Sequence, residues 1–590
     1  VGALSASQVG ATAATNFAAL APGAIAALSA TQISGLTATG LSALDATQVA
    51  ALTTTQVKGL TATQVRGLET TDFDKFTSGQ IGALSGGQLG ALSATNLASL
   101  DETEVRGLTT TQTAGFTATQ MASLSETDFA ELATTQIAAL TASQLGGLSL
   151  TNLRSLSDTQ FQALDPDRIK GLAASQLSGL DATDFARFTP TQVVALSATQ
   201  IGALSASHIG SLNATVIQQL SNTQLKGLTA FQVRALTATD VREFTATQIQ
   251  GFTAGQFGAL SASALPALFD TQFDGLSALQ FGGLSATGVA ALNDTQFGWL
   301  TPTQLRGISA TALGELSATD FGRFRPDQIG SLTAAQFAGL SSTNLASLDA
   351  TQVTGLTTSQ VRAITATQLA ALSATDLGEF DLTQLSAMTA AQINAFGTDN
   401  LAALDETRLG ALAASQIAGL TATNFSALTE TQVAGLSATQ IQGVSAANIR
   451  GLSATDFGEL TATQLVRLTA GQVGALSTTN LFGLSATQFG ELAATQITGL
   501  TATQVSAIDT TQLERFTATQ IGALPGAQIG ALTTTLIGAL TTTQVTAFTA
   551  TQIPKLTVTQ VRQLTSTLVA AMTPAQVNAF TTLQIQNLPA

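Results

Sequence analysis

The chain has 590 residues and carries 21 Lys and Arg against 36 Asp and Glu, so its formal net charge is −15. This acidic balance excludes binding along a nucleic-acid backbone, because neutralising phosphates requires a basic surface. The absence of Cys excludes disulfides and thiolate metal ligands, and no stretch reaches the roughly 18 apolar residues of a membrane-spanning helix.

The N-terminal stretch VGALSASQVG already follows the pattern that fills the rest of the chain. It lacks the charged region and the apolar block of a signal peptide. Both ends stop within the pattern, so we expect a processed chain or a fragment of a longer one. No shift in composition marks a linker, and we therefore predict one continuous repeat domain over residues 1–590.

The pattern is an octad, an eight-residue repeat, here numbered one to eight as in the segment from Thr61 to Leu68, TATQVRGL. A large apolar residue recurs at position eight and a second apolar residue at position five, with no insertion or deletion along the chain. A continuous α-helix would rotate by about 800° per octad, which carries an apolar stripe around the helix. One unbroken helix is therefore excluded.

Each octad has the signature of a helix start. Position one is almost always Ser, Thr, Asp or Asn, and position four is mostly Gln, as in Thr61 and Gln64. This pair forms a capping box, flanked by the apolar pair Leu60 and Val65 at the spacing of a hydrophobic staple. The sequence therefore predicts one very short capped helix per octad.

The placement of proline and charge supports the same interpretation. Proline favours the first helical position, and five prolines occupy position two: Pro166, Pro190, Pro302, Pro326 and Pro574. Acidic residues cluster early in the octads and basic residues late, as the helix dipole favours. A β-solenoid explains neither feature. Pro266 and Pro554 fall inside predicted helices and should distort them.

Position seven is usually Ala, Gly or Ser, but in ten octads, separated by steps of three, four, seven or ten octads, it is large or charged; Glu315 and Arg467 lie off these steps. Such intervals indicate one face of an all-α solenoid with roughly 3.4–3.5 octads per turn. At helix-packing distances, we expect a superhelical rod on the order of 200 Å. Duplication of a seven-octad unit is the alternative explanation for the intervals of seven octads. The predicted lateral-contact face, the position-seven stripe, comprises Lys75, Glu131, Arg187, Glu243, Trp299, Arg323, Glu379, Glu459, Glu491 and Arg515.

No constellation in the sequence predicts catalysis, a cofactor or a metal site. His208 stands alone at position four and is interpreted as a variant cap, because one imidazole without partner ligands forms neither a metal site nor a triad. Trp299 is interpreted as a packing residue of the stripe, with ligand stacking as the alternative. We therefore expect that the protein is not an enzyme.

Thr recurs at position three, as in Thr55, Thr63 and Thr71, although capping does not require it there. Contacts between neighbouring octads are the favoured explanation. Binding of glycan or ice by a regular Thr array and neutral composition are the alternatives.

Octads of the form L-[ST]-x-x-Q-[IV]-x-[AG] resemble the octapeptide tandem-repeat regions of large secreted or surface proteins of proteobacteria. The resemblance covers the whole chain and implies an extracellular structural or adhesive role. We therefore predict a structural protein that forms or spans a filament, stalk or sheath by self-association of identical chains, without nucleic acid and without membrane insertion. The alternative is a spacer or adhesin whose Thr-rich face binds glycan, ice or another cell surface.

Overall fold

A computed structural model of the chain describes residues 2–589. In this part of the chain 63% of the residues are helical, there is no strand, and 71 short α-helices recur about every eight residues. The prediction of an all-α solenoid with one short helix per octad is confirmed.

The helices start at position two of their octads and contain four to six residues. They run from Ala6–Gly10, Ala14–Ala18 and Pro22–Ala26 to Thr582–Ile585, with a start at every eighth residue apart from three octads. Pro266 and Pro554 convert their helices into 3-10 turns, Leu265–Ala267 and Ile553–Lys555, as the sequence predicts. The third exception is Gly397–Ala402, which starts one residue early at a glycine with a φ of 76°.

The contacts divide the chain into two compact units, one ending at Trp299 and the other beginning at Leu300. The first contains the helices from Ala6–Gly10 to Asp294–Trp299, and the second those from Pro302–Gly307 to Thr582–Ile585. The octad register of the sequence is the same in both. The prediction of one continuous domain stays a prediction. Among the described helices, none has the length and apolar character needed to cross a bilayer.

Capping fixes each helix start as the sequence predicts. In the helix Ala62–Arg66, the hydroxyl of Thr61 accepts a hydrogen bond from the amide of Gln64, and the Gln64 Oε1 accepts one from the amide of Thr61 at 2.7 Å. A helix this short is unstable alone, so its stability comes from burial. The core side chains are those of positions five and eight, such as Val65 and Leu68, joined by the amide of position four.

Small residues at position seven allow octads three apart to pack backbone to backbone. A Cβ added to Gly171 would lie 1.9 Å from the carbonyl oxygen of Ala142, which no side chain tolerates. Helix contacts in both units join octads three apart, and side-chain hydrogen bonds join octads four apart. Contacts at three and at four octads agree with the predicted 3.4–3.5 octads per turn.

Candidate functional site: the links between octads

The glutamine at position four links octads as well as capping its own helix. The Oε1 of Gln56 accepts from the backbone amide of Thr53, while its Nε2 donates to the carbonyl oxygens of Ile25 at 2.9 Å and Leu28 at 2.6 Å. Ile25 lies in the last turn of the helix Pro22–Ala26, four octads earlier, and Leu28 lies two residues beyond its end. The carbonyl of Ile25 also accepts from the backbone amide of Leu28 at 3.1 Å. One buried side chain thus forms hydrogen bonds with the backbone at the start of one helix and at the end of another. We call this bond the glutamine latch.

In some octads without a position-four Gln, another side chain replaces the latch. Asn152 donates to the carbonyl of Leu124 at 2.9 Å. Arg168 donates to the carbonyls of Ala138 at 3.1 Å and Leu140 at 3.2 Å. Asn, Arg and Gln share only an N–H donor at the end of the side chain, so these octads have in common a position-four donor aimed at the preceding turn, whereas octads such as those of Val216 and Leu536 have no such donor.

The cations of the predicted stripe perform the same task from position seven. Lys75 donates to the carbonyls of Ser42 at 3.3 Å and Leu44 at 2.8 Å, and it pairs with Asp72 at 2.8 Å. Asp72 occupies position four and has no donor of its own. Burial alone would raise the pKa of the Asp72 carboxyl, but the hydrogen bond from Lys75 brings that pKa below its ordinary value.

Two arginines of the stripe repeat this arrangement. Arg515 donates to the carbonyls of Phe482 at 3.3 Å and Leu484 at 2.7 Å. Arg187 donates to the carbonyls of Arg154 and Leu156. These head groups are turned onto their own chain. A third arginine, Arg323, is half-buried and lies 3.7 Å from the carboxylate of Asp320, three residues before it.

Four stripe residues place a carboxylate at position seven, where Lys75, Arg187, Arg323 and Arg515 place a cation. Glu131, Glu243, Glu379 and Glu459 are half-buried and follow an Asp at position four. The buried Oε2 atoms of the first three accept no hydrogen bond. Asp240 precedes Glu243 in one of these octads. Its carboxylate lies near Gly210, four octads earlier, since a Cβ added to that glycine would be 3.8 Å from it. Burial first, and then the neighbouring Asp, raises the pKa of each of these four glutamates.

The remaining stripe residues are more exposed. Glu491 is exposed, and Trp299 exposes 40% of its surface. Lateral contact between chains through the stripe therefore stays a prediction. The structure assigns Lys75, Arg187 and Arg515 a role in holding successive turns together, which the sequence analysis did not anticipate.

A signal for this role is present in the sequence. Asp occurs at position four in seven octads, and each of the seven has a charged residue at position seven, three residues later. Every octad in which Asp replaces the glutamine donor therefore also has a charge at position seven, and in three of the seven that charge is a cation. The residue pairs, each within one octad, are Asp72 and Lys75, Asp128 and Glu131, Asp184 and Arg187, Asp240 and Glu243, Asp320 and Arg323, Asp376 and Glu379, and Asp456 and Glu459.

The position-three Thr residues do not make the links attributed to them. Thr55, Thr63 and Thr71 are exposed. In some octads the position-three hydroxyl bonds to the cap hydroxyl of its own helix, as between Thr189 and Thr191 at 3.0 Å. The preference for contacts between octads is wrong for these three residues, because the buried amide at position four already supplies the link.

His208 is the cap variant that the sequence predicts. Its Nδ1 accepts from the amide of Ser205 at 3.3 Å, and its ring stacks on Phe185 with centroids 4.6 Å apart. Burial lowers the pKa of this imidazole. Within residues 2–589, no group of three His, Cys, Asp or Glu side chains is arranged to hold a metal ion.

No protein-family model matches the chain, and no curated protein matches it.

Proposed function

We propose that the chain is a non-enzymatic structural repeat protein that forms or spans an extracellular filament, stalk or sheath by self-association. The glutamine latch carries this proposal. Buried amides such as Gln56, Gln192 and Gln504 tie each helix to one four octads earlier, in both units. Links repeated in this way hold many weak units in one geometry, as a scaffold requires. The extracellular setting is supported by the resemblance of the octads to secreted repeat regions.

Large apolar side chains on the surface support contact with further copies. Phe231, Leu279 and Leu583 expose 74%, 75% and 59% of their surface, and all three occupy position three, where Thr is usual. Burying them against another chain would stabilise an assembly by about 1.5–3 kcal/mol per side chain.

Electron microscopy and sedimentation over a concentration series test the proposal. We expect filaments or larger assemblies to grow with concentration. A triple variant, Phe231→Thr, Leu279→Thr and Leu583→Thr, should shift assembly to higher concentration, whereas Thr63→Ala at the same octad position should not. A chain that stays monomeric at every concentration would overturn the proposal.

The exposed position-three Thr residues favour a second candidate function, that of a spacer or adhesin. Thr55, Thr63 and Thr71 present hydroxyl groups to solvent at a constant interval. Glycan-array binding or inhibition of ice recrystallisation by a monomeric chain would favour this function over the scaffold.

A further inference from the structure

The glutamine latch is missing at Gln488, a half-buried position-four residue of the second unit. Its Oε1 accepts from the backbone amide of Ser485 at 2.9 Å, so the side chain still caps its own helix. Elsewhere the latch reaches carbonyls 31 and 28 residues back, which here belong to Phe457 and Leu460. Within residues 2–589, however, the Nε2 of Gln488 has no acceptor and the carbonyl oxygen of Leu460 has no donor. The link between these two turns is therefore open.

The backbones beside this open link do not touch. A Cβ added to Gly499 would lie 1.8 Å from the carbonyl oxygen of Ala470, 29 residues earlier, because the two backbones are in contact there. Gly483 occupies the same position of its octad, and Ala454 lies at the same offset before it. A Cβ added to Gly483 would nevertheless meet no atom within 4 Å. The close approach seen at Gly499 is thus replaced by open space at Gly483.

A hollow of about 190 Å³ lies at this place, and both Gly483 and Gln488 line it. Its wall is mainly apolar and is formed by the buried side chains of Phe457, Leu465 and Leu484, among others. An apolar cavity of about 150 Å³ is large enough to hold benzene. The hollow therefore has room for one small ring with a short substituent.

Residues of the lining also supply polar groups that lack partners. Asn480 lines the hollow and exposes only 3% of its surface. Its Nδ2 donates to the carbonyl of Leu452 at 3.0 Å, but its Oδ1 accepts no hydrogen bond from the described residues. Buried polar groups are normally hydrogen-bonded, and an unmet one is costly. The lining thus offers one free donor, on Gln488, and two free acceptors, on Asn480 and Leu460.

We propose that this hollow binds a small neutral molecule that has an apolar ring and one group able both to donate and to accept hydrogen bonds, a hydroxyl or a carboxamide. The ring fills the space between the apolar side chains, and the polar group accepts from Gln488 and donates to Asn480 or Leu460. None of the described residues that line the hollow is charged, and burying an unpaired charge is costly, so a neutral ligand is favoured. This inference goes beyond self-association and does not rest on it.

Titration calorimetry of the full chain with benzyl alcohol and with benzamide tests the proposal. We expect saturable binding of one molecule of either probe per chain. Toluene has the ring without the polar group and should bind about twofold to tenfold more weakly, since it forms no hydrogen bond in the hollow. Benzoate should bind more weakly than benzamide, because its charge would be buried without a partner.

Variants place the binding in this hollow. Gly483→Leu puts a side chain into the open space and should weaken binding of both probes at least about tenfold, since a close-packed site cannot hold both groups. Gly107→Leu is the matched control: Gly107 also ends a six-residue helix at position seven, with no atom within 4 Å of an added Cβ. Gln488→Met keeps a side chain of similar length without the amide and should weaken benzamide but not toluene. Circular dichroism checks that each variant keeps its helix content.

Four outcomes would overturn the proposal. The first three are no saturable binding of either probe, equal affinity for toluene and benzamide, and binding that Gly483→Leu leaves unchanged. The fourth is binding that appears only in the triple variant Phe231→Thr, Leu279→Thr and Leu583→Thr. That result would show that an apolar side chain of a second copy, and not a small molecule, fills the hollow.

Discussion

The ammonium of Lys75 donates a hydrogen bond to the carbonyl oxygen of Leu44 at 2.8 Å, across 31 residues of sequence. Lys75 also donates to the carbonyl of Ser42. Leu44 lies 28 residues before residue 72, at the offset of one acceptor of the glutamine latch, but residue 72 is Asp. The repeat thus has two ways to supply one donor, a neutral amide from position four or a cation from position seven. Some octads, such as that of Asp128 and Glu131, have neither donor, and which of these arrangements is present decides how an octad responds to substitution and to pH.

The first prediction is that a glutamine donor at residue 72 can replace the Lys75 donor. Lys75→Ala removes the donor while Asp72 remains, and we expect a local loss of about 1.5–3 kcal/mol, the contribution of hydrogen bonds to a charged group. The double variant Asp72→Gln and Lys75→Gly restores the usual residues at both positions and should recover most of that loss. Native-state hydrogen exchange in residues 37–44 and 69–76 measures both effects.

The control for this exchange is Lys58→Ala. Lys58 is exposed at position six, and its loss should change exchange by less than about 0.5 kcal/mol. If the double variant exchanged as fast as Lys75→Ala, the two donors would not be equivalent.

The latch itself is tested by an isosteric change at Gln192, which is fully buried. Gln192→Glu keeps an acceptor for the amide of Thr189 but removes the donor to the carbonyls of Phe161 and Leu164, both at 2.9 Å. We expect a loss of about 2–4 kcal/mol, because two hydrogen bonds disappear and a carboxylate is left among carbonyl oxygens. Hydrogen exchange should accelerate in residues 157–164 and 189–196.

Gln160 offers a matched control for the latch. It is also a position-four Gln, and its Oε1 accepts from the amide of Ser157 at 2.8 Å, but it is only half-buried. Gln160→Glu should therefore have a much smaller effect. Equal effects at Gln160 and Gln192 would assign the destabilisation to the cap and not to the latch.

The stripe glutamates should make part of the fold less stable as pH rises. Burial and the carboxylate of Asp128 raise the pKa of Glu131 above its ordinary value of 4.5, with Glu102 and Asp101 adding to the effect and Arg106 opposing it. The folded state therefore binds more protons than the unfolded state between 4.5 and the raised pKa. The stabilisation is complete below 4.5 and is lost as pH rises through that window.

Asp72 should show the opposite dependence. Its pKa is lowered from 3.8, so its pairing with Lys75 stabilises the fold above that value and is lost as pH falls. Hydrogen exchange in residues 93–100 and 125–132, corrected for the intrinsic pH dependence, measures the glutamate effect. Glu131→Gln should flatten the profile, and Glu126→Gln, at an exposed position of the same octad, should not. A profile unchanged by Glu131→Gln would refute the assignment.

A few octads can be stabilised by completing their caps. Ala173 stands at position one without a side-chain acceptor, although Gln176 still accepts from its amide at 2.6 Å. Ala173→Ser should supply the missing acceptor and stabilise the helix Ala174–Gly179 by about 1 kcal/mol. The neighbouring change Ala174→Ser, at an exposed helical position, should give no gain. Slower exchange at the start of this helix is the measurement.

The local physics of the octad could be predicted because each determinant lies within eight residues. Thr61 and Gln64 are three residues apart and cap the helix wherever that helix lies, and Pro190 at position two favours a helix start in the same way. The steps of three, four, seven and ten octads between stripe residues such as Trp299 and Arg323 also predicted the number of octads per turn. They did not predict the direction of the stripe side chains, since a regular spacing fits an outer seam as well as an inner link.

The sequence by itself determined the short capped helices, the distortions at Pro266 and Pro554, and the small residues where turns approach closely, because these depend on backbone geometry and sterics between near neighbours. Only the tertiary structure decided the partners of the Gln amides, the inward direction of Lys75, Arg187 and Arg515, and the hollow between Leu460 and Gln488. Each of these depends on groups that are 28 to 33 residues away along the chain. Those groups become neighbours only when the octads wind into successive turns, and burial there leaves a polar group no water to bond.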